Sequence, residues 1–212
     1  MTTGDTTHAG AERPYAPHDF PHLHDLDGLS KDQLDEHLGL YHGYVKALNE
    51  LETELADLAR AGRRGGHAWH ALARRLPYEW NGMRMHELYF EALRPGGSDP
   101  AQAPGVSEAL GEAFGGLDEW REAFVALTTV RGIGWVVLGE DRRTGRLVNV
   151  YVTLHEDGQI VDTRPILVLD MWEHAYLIDY RSAEKKRYVD AVLRNVDWAV
   201  CADRLAATPT LH

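Results

Sequence analysis

Apolar side chains recur at helical spacing once the first thirty residues are passed. Leu34, His37, Leu38, Tyr41, Tyr44, Val45, Leu48, Leu51, Leu55 and Leu58 fall on one face of a 3.6-residue period. The run opens at Ser30, which with Gln33 makes a capping-box pair, and the glycine-rich Gly62–Gly66 ends it. A second helical stretch, HAWHALARRL, is expected to break at Pro77, because proline has no amide hydrogen and crowds the carbonyl four residues earlier. A third covers about 81–93. Residues 94–105, RPGGSDPAQAPG, carry three prolines and three glycines and form the clearest linker.

Beyond the linker the texture changes. Short helical segments at 107–114 and 117–130 precede β-type runs at 133–139 (IGWVVLG), 147–154 (LVNVYVTL) and 165–169 (PILVL), the first two joined by the turn EDRRTG. The stretch from Ala183 to Leu205 reads as one final amphipathic helix. The pattern predicts an α+β fold: an N-terminal helical hairpin, then a three-stranded antiparallel sheet flanked by helices. The expected divisions are a mobile arm at 1–20, a helical domain at 21–97 and an α/β domain at 98–212.

Composition narrows the function. The 212 residues are 44% hydrophobic with a net charge of −11, which argues against nucleic acid or an anionic membrane as partner. No apolar run approaches the ~20 residues that span a bilayer. The N-terminus has no secretory pattern, and the single Cys201 rules out an intrachain disulfide; a cytoplasmic location is the expectation. Gly62–Gly66 lacks the Lys-Ser/Thr ending of a phosphate loop.

The chemistry concentrates in Asp170-Met171-Trp172-Glu173-His174. A helix beginning near Asp170 would put the carboxylate and the imidazole on one face, where they can grip a metal. Alone, such a pair is more often a helix-capping Asp beside a packed His. His37 and His86 each sit among apolar neighbours, and a buried imidazole needs a ligand or a hydrogen bond. Either alone reads better as a satisfied core histidine; both together beside DMWEH favour a metal. His42, His67 and His70 are weak candidates.

The run DMWEHAY resembles the C-terminal signature of the iron/manganese superoxide dismutases, D-x-W-E-H-A-Y-Y, with six of seven fixed letters present and Leu177 in place of the last Tyr. Three further stretches resemble that family in order and spacing: His37-Leu38-Gly39 through Tyr44-Val45 to Leu48-Asn49, His86-Glu87-Leu88-Tyr89-Phe90 for N-H-S-L-F-W, and Gly132-Ile133-Gly134-Trp135 for G-x-G-W. Asn195–Trp198 is similar to its last helix.

The resemblance implies that His37, His86, Asp170 and His174 hold one Mn or Fe ion per subunit and that the substrate is superoxide. It places Tyr44 and His155 in catalysis, with Tyr41, Tyr89, Phe90, Trp135, Trp172 and Glu173 lining the pocket. It further implies a homodimer or higher homo-oligomer in which Glu173 meets the partner's His174. Some positions depart from the family. Tyr44 lies seven residues after His37 where the family has eight, which implies that a helical bulge is lost. Tyr41 and Leu177 replace a His and a Tyr that meet across the dimer. Gly82 and His155 occupy the two places where the family puts a glutamine that donates to the coordinated solvent, and His155 is expected to be that donor here. Three function classes follow: superoxide dismutase, a metal-dependent oxidase or oxygenase on the same scaffold, or a metal-binding homologue without turnover.

Overall fold

The computed structural model describes residues 14–103 and 105–207. Among these, six α-helices and one sheet form the fold: α1 Lys31–Arg60, α2 His67–Glu91, α3 Val106–Phe114, α4 Leu117–Leu127, β1 Trp135–Asp141, β2 Leu147–Val152, β3 Thr163–Asp170, α5 Lys185–Arg194 and α6 Trp198–Ala206. The sheet order is β2-β1-β3, antiparallel throughout, so β1 is central and almost wholly buried. The architecture is α+β, as the hydrophobic pattern predicts.

Helix α1 runs unbroken, with Ser30 Oγ accepting the Gln33 amide hydrogen at 3.1 Å. The expected capping box is only half formed. The Gln33 side chain reaches instead to the chain after β3, and the Ser30 amide donates to Asp179 Oδ2 at 2.7 Å. Pro77 does not break the second helix, which continues through it. Pro77 and Ala73, whose carbonyl it leaves unpaired, both face solvent, so water can satisfy that carbonyl.

The final helix, in contrast, is two. The backbone at 195–197 is drawn into pairing with the end of α2: Arg94 N donates to Asn195 O at 2.8 Å and Asp197 N to Ala92 O at 2.8 Å. Asn195 Nδ2 donates to Asp27 O and to Ala191 O, both at 2.9 Å, and Asp197 then caps α6. The linker is pinned by the same region. A Cβ on Gly97 would come within 2.4 Å of the Arg194 carbonyl, so glycine alone fits there.

Most of the expected N-terminal arm, residues 1–13, lies outside the described residues. Residues 14–20 are held against the α1–α2 pair. Tyr15 and Asn49 exchange two hydrogen bonds at 2.8 and 2.9 Å, and the Phe20 ring packs on Phe90 at 5.2 Å and on Tyr41 at 5.6 Å.

Candidate metal centre

Four side chains from both halves converge on one point. Asp170 ends β3, where its Cα pairs with Trp135. No helix follows. Asp170 Oδ1 accepts the Trp172 amide hydrogen at 2.8 Å, turning the chain into a single 3₁₀ turn, Glu173–Ala175. The four-residue spacing is thus met by a strand end and an Asx turn, correcting the expected helix. Asp170 Oδ2 stands 3.0 Å from His37 Nε2, 3.2 Å from His174 Nε2 and 3.6 Å from His86 Nε2. His86 Nε2 and His174 Nε2 are 3.4 Å apart. One ligating atom from each of the four lies within 4.8 Å of the other three.

The donor set fits a metal ion on chemical grounds. His86 Nδ1–H donates to the Gly82 carbonyl at 2.5 Å, so the neutral ring turns its Nε2 lone pair inward. Burial holds His86 well below its ordinary range, and burial also lowers His37 against the pull of Asp170. Burial works against the Asp170 carboxylate, but the His174 charge and hydrogen bonds from His174 and His37 outweigh it and hold the pKa far below the usual range. For His174 burial lowers, but the Asp170 carboxylate prevails and the pKa is raised. Neutral imidazole nitrogens facing a carboxylate in a dry pocket are completed by a cation.

These shifts set the acid response of the metal-free chain. His37, His86 and His155 take protons less readily folded than unfolded. Stability should therefore fall as pH drops below their ordinary value of 6.5, since the unfolded chain then binds protons that the folded one refuses. Asp170 acts elsewhere: its contribution is present above about pH 4 and is lost only in stronger acid. His174 acts in the opposite sense, with a contribution complete below about pH 6.5 and lost as pH rises through its raised value. Urea midpoints of metal-free protein should drop between pH 7 and 5, and less steeply in His155→Gln.

Comparison with known proteins meets this geometry. Residues 102–204 match the family model described as iron/manganese superoxide dismutases, C-terminal domain. An iron superoxide dismutase from Aquifex aeolicus is 34% identical over 198 residues, covering 89% of each chain. One from Cupriavidus metallidurans is 37% identical over 186 residues, covering 86% of this chain and 91% of the relative. A manganese superoxide dismutase from Haloferax volcanii is 33% identical over 171 residues, covering 80% and 83%.

The chain belongs to the iron/manganese superoxide dismutase family.

Several residues around the cluster of this superoxide dismutase family member sit otherwise than expected. His155 is fully buried, with its Nδ1 3.0 Å from Trp135 Nε1 and its Nε2 2.7 Å from Tyr44 Oη. An indole nitrogen can only donate, so Nδ1 accepts, and the neutral ring carries its hydrogen on Nε2 and gives it to Tyr44. Burial lowers the His155 pKa to about 4, which keeps it neutral. Both nitrogens are thereby used within the protein, which leaves His155 no further hydrogen to give to a coordinated solvent. Nor could a glutamine at position 82 share that task, because a Cβ there would come within 2.5 Å of Tyr44 Cδ1.

Tyr41 is fully buried, donating to Glu87 Oε1 at 3.0 Å and accepting the His18 amide hydrogen at 2.8 Å. Tyr89 and Phe90 pack against His37 at 5.2 and 4.8 Å, and Trp172 stacks on His155 at 4.7 Å. The Trp172 indole N–H is buried with no partner among the described residues. Glu173 and Leu177 are exposed. His42, His67 and His70 are exposed and stand outside the cluster.

The motifs missed Gln33. Its amide nitrogen donates to the His174 carbonyl at 2.6 Å and its Oε1 accepts the Ile178 amide hydrogen at 3.0 Å, fixing the turn that carries His174. The available signal was a polar residue on the buried stripe, one turn before His37.

Proposed function

We propose that this protein disproportionates superoxide at one iron or manganese ion per subunit, held by His37, His86, Asp170 and His174. The observation that carries this is the convergence of three imidazoles and one carboxylate in a chain of this family. When bound, such an ion supplies a one-electron couple, so that two superoxide anions and two protons become one dioxygen and one hydrogen peroxide.

The chain's own residues supply the rest. Asp170 gives the otherwise neutral donor set one negative charge. The Gly82 carbonyl fixes the His86 ring, and Gln33 fixes the turn of His174. Trp135, Trp172, Tyr89 and Phe90 exclude water. Tyr44 Oη accepts from His155 Nε2–H, which leaves its own hydrogen for substrate or solvent. The test is superoxide decay alongside metal content: decay should scale with bound iron or manganese, and stoichiometric metal without decay would overturn the reading.

The working assembly in this reading is a homodimer or higher homo-oligomer. Leu177 and Ile178 are 45% and 53% exposed beside Glu173, an apolar rim suited to a second copy. Glu173 then meets the partner's His174 and orients its imidazole. In light scattering, Glu173→Ala is expected to shift mass toward the monomer and to lower metal content by about 10-fold or more. A fully active monomeric wild type would contradict it. Among the described residues no helix is long and apolar enough to cross a membrane. A cytoplasmic location fits the single, buried cysteine. The units 21–97 and 98–212 each contribute two ligands.

A further inference from the structure

One edge of the sheet is finished by side chains, and one of them reaches a residue of the four-membered cluster. Among the described residues β3 pairs with β1 alone, so the carbonyls on its outer edge have no strand partner. Arg204 Nη1 donates to one of them, Ile166 O, at 3.0 Å. Tyr188 Oη donates to another, Asp170 O, at 2.7 Å. Tyr188 lies on α5 and is fully buried, as Asp170 is. A buried carbonyl with no donor is costly, so this hydroxyl completes the chain where β3 ends. The Tyr188 oxygen in turn stands 3.3 Å from Oη of Tyr89, which is buried on α2.

The donor count fixes the direction of these bonds. A carbonyl only accepts, so the Tyr188 hydrogen is committed to Asp170 O, and Tyr89 is the donor between the two hydroxyls. The bonds run one way, from Tyr89 to Tyr188 to the Asp170 carbonyl, and the first strengthens the second by polarising it. Asp170 is thereby held at two points: its carbonyl by Tyr188, and its Oδ1 by the Trp172 amide hydrogen at 2.8 Å. Oδ2 is left facing the three imidazoles. Tyr89 also sets its ring 5.2 Å from that of His37. The stretch N-H-S-L-F-W, which His86–Phe90 resembles, has Phe where this chain has Tyr89, so the outer hydroxyl is an addition to the motif.

We propose that Tyr188, backed by the Tyr89 hydroxyl, is a positioning residue that sets the Asp170 carboxylate for the metal. Neither hydroxyl is a ligand. Tyr89 acts through Tyr188, and Tyr188 acts through the Asp170 backbone. Without the Tyr188 hydroxyl, the end of β3 shifts to find another donor for Asp170 O, and Oδ2 moves with it. The proposal rests on the ligand assignment made under the proposed function, but not on superoxide as the substrate.

The test uses the full chain loaded with ferric iron or with Mn²⁺. The ferric EPR spectrum reports ligand geometry through its rhombicity. Tyr188→Phe keeps the ring and removes the hydroxyl. It should shift that rhombicity and raise the Mn²⁺ dissociation constant, read by chelator competition, by about tenfold. Tyr89→Phe installs the residue of the motif and is the milder change. It should shift the spectrum in the same direction and raise the constant about twofold. Added to Tyr188→Phe, it should change neither further, because its route to Asp170 is already cut. Tyr180→Phe is the matched control, since the Tyr180 hydroxyl donates to the Gly28 carbonyl rather than to a residue of the cluster. That variant should lower the melting temperature and leave the spectrum and the constant at wild-type values. A Tyr188→Phe protein with the wild-type spectrum and constant overturns the proposal, as do equal changes in Tyr180→Phe. Should Tyr188→Phe fail to fold, Tyr89→Phe decides alone, and an unchanged spectrum there overturns the proposal. A wild type that takes up neither metal removes the ligand assignment and this proposal together. A wild type that loads metal and whose variants show these shifts, yet leaves superoxide unconsumed, sinks only the dismutase reading.

Discussion

Asp170→Ala is expected to abolish metal retention and superoxide turnover while leaving most of the helical circular dichroism intact. Its Oδ2 lies within 3.6 Å of all three imidazole Nε2 atoms, so its loss leaves neutral nitrogens without that carboxylate. The clearest readout is linkage. Metal at a thousandfold excess over its dissociation constant stabilises a folded protein by about 4 kcal/mol. The wild type should therefore melt well above its metal-free form, and Asp170→Ala should melt at one temperature with or without metal. His86→Ala should behave alike. His42→Ala changes an exposed side chain outside the cluster and should keep the metal, with stability altered by no more than about 0.5 kcal/mol. Metal loss in His42→Ala together with metal retention in His37→Ala would dismantle the assignment on α1.

His155→Ala should keep the metal and lose about 10²-fold in turnover, the scale of a lost proton-handling group. Two groups, the buried Trp135 indole and the partly buried Tyr44 hydroxyl, lose their partner at once. Trp135 Nε1–H is left without an acceptor, at a cost of about 1–3 kcal/mol in stability. Tyr44 loses the donor that directs its own hydrogen toward the ligands. His155→Gln offers a carbonyl for Trp135 and an amide hydrogen for Tyr44, and should recover most of both losses. Adding a glutamine at position 82 to His155→Ala should recover neither, since its Cβ would displace the Tyr44 ring. Unaltered turnover in metal-loaded His155→Ala would show that Tyr44 is oriented by some other group.

Much of this site was legible because local sequence dictates local placement. His37 lies on the same apolar stripe as Leu34, Tyr41 and Leu48, and those residues are buried on one face of α1. What escaped depends on partners far away in the chain. Pro77 is tolerated because its side of α2 faces water, which no window around it reveals. The break between α5 and α6 arises from Ala92, Arg94 and Asp27 drawing on residues 195–197. Gln33 reads locally as half of a cap, yet its partners lie 141 and 145 residues away. The tautomer of His155 likewise follows from Trp135, twenty residues earlier, because an indole cannot accept.

If the four clustered residues are the ligands proposed above, their seclusion bears on which ion the protein carries. His37, His86 and Asp170 are at most 1% exposed and His174 is 18% exposed, and His37 and Asp170 are separated by 133 residues. The ligands assemble only when the two halves have come together, and afterwards an ion leaves only by an opening that parts them. Such a site samples the metals present while the chain folds and then holds its catch against later competitors, including those that the ordinary affinity series would favour. Two preparations of one sequence, grown in iron-rich and in manganese-rich medium, would then differ lastingly in metal, and the history of the chain would be written in its cofactor.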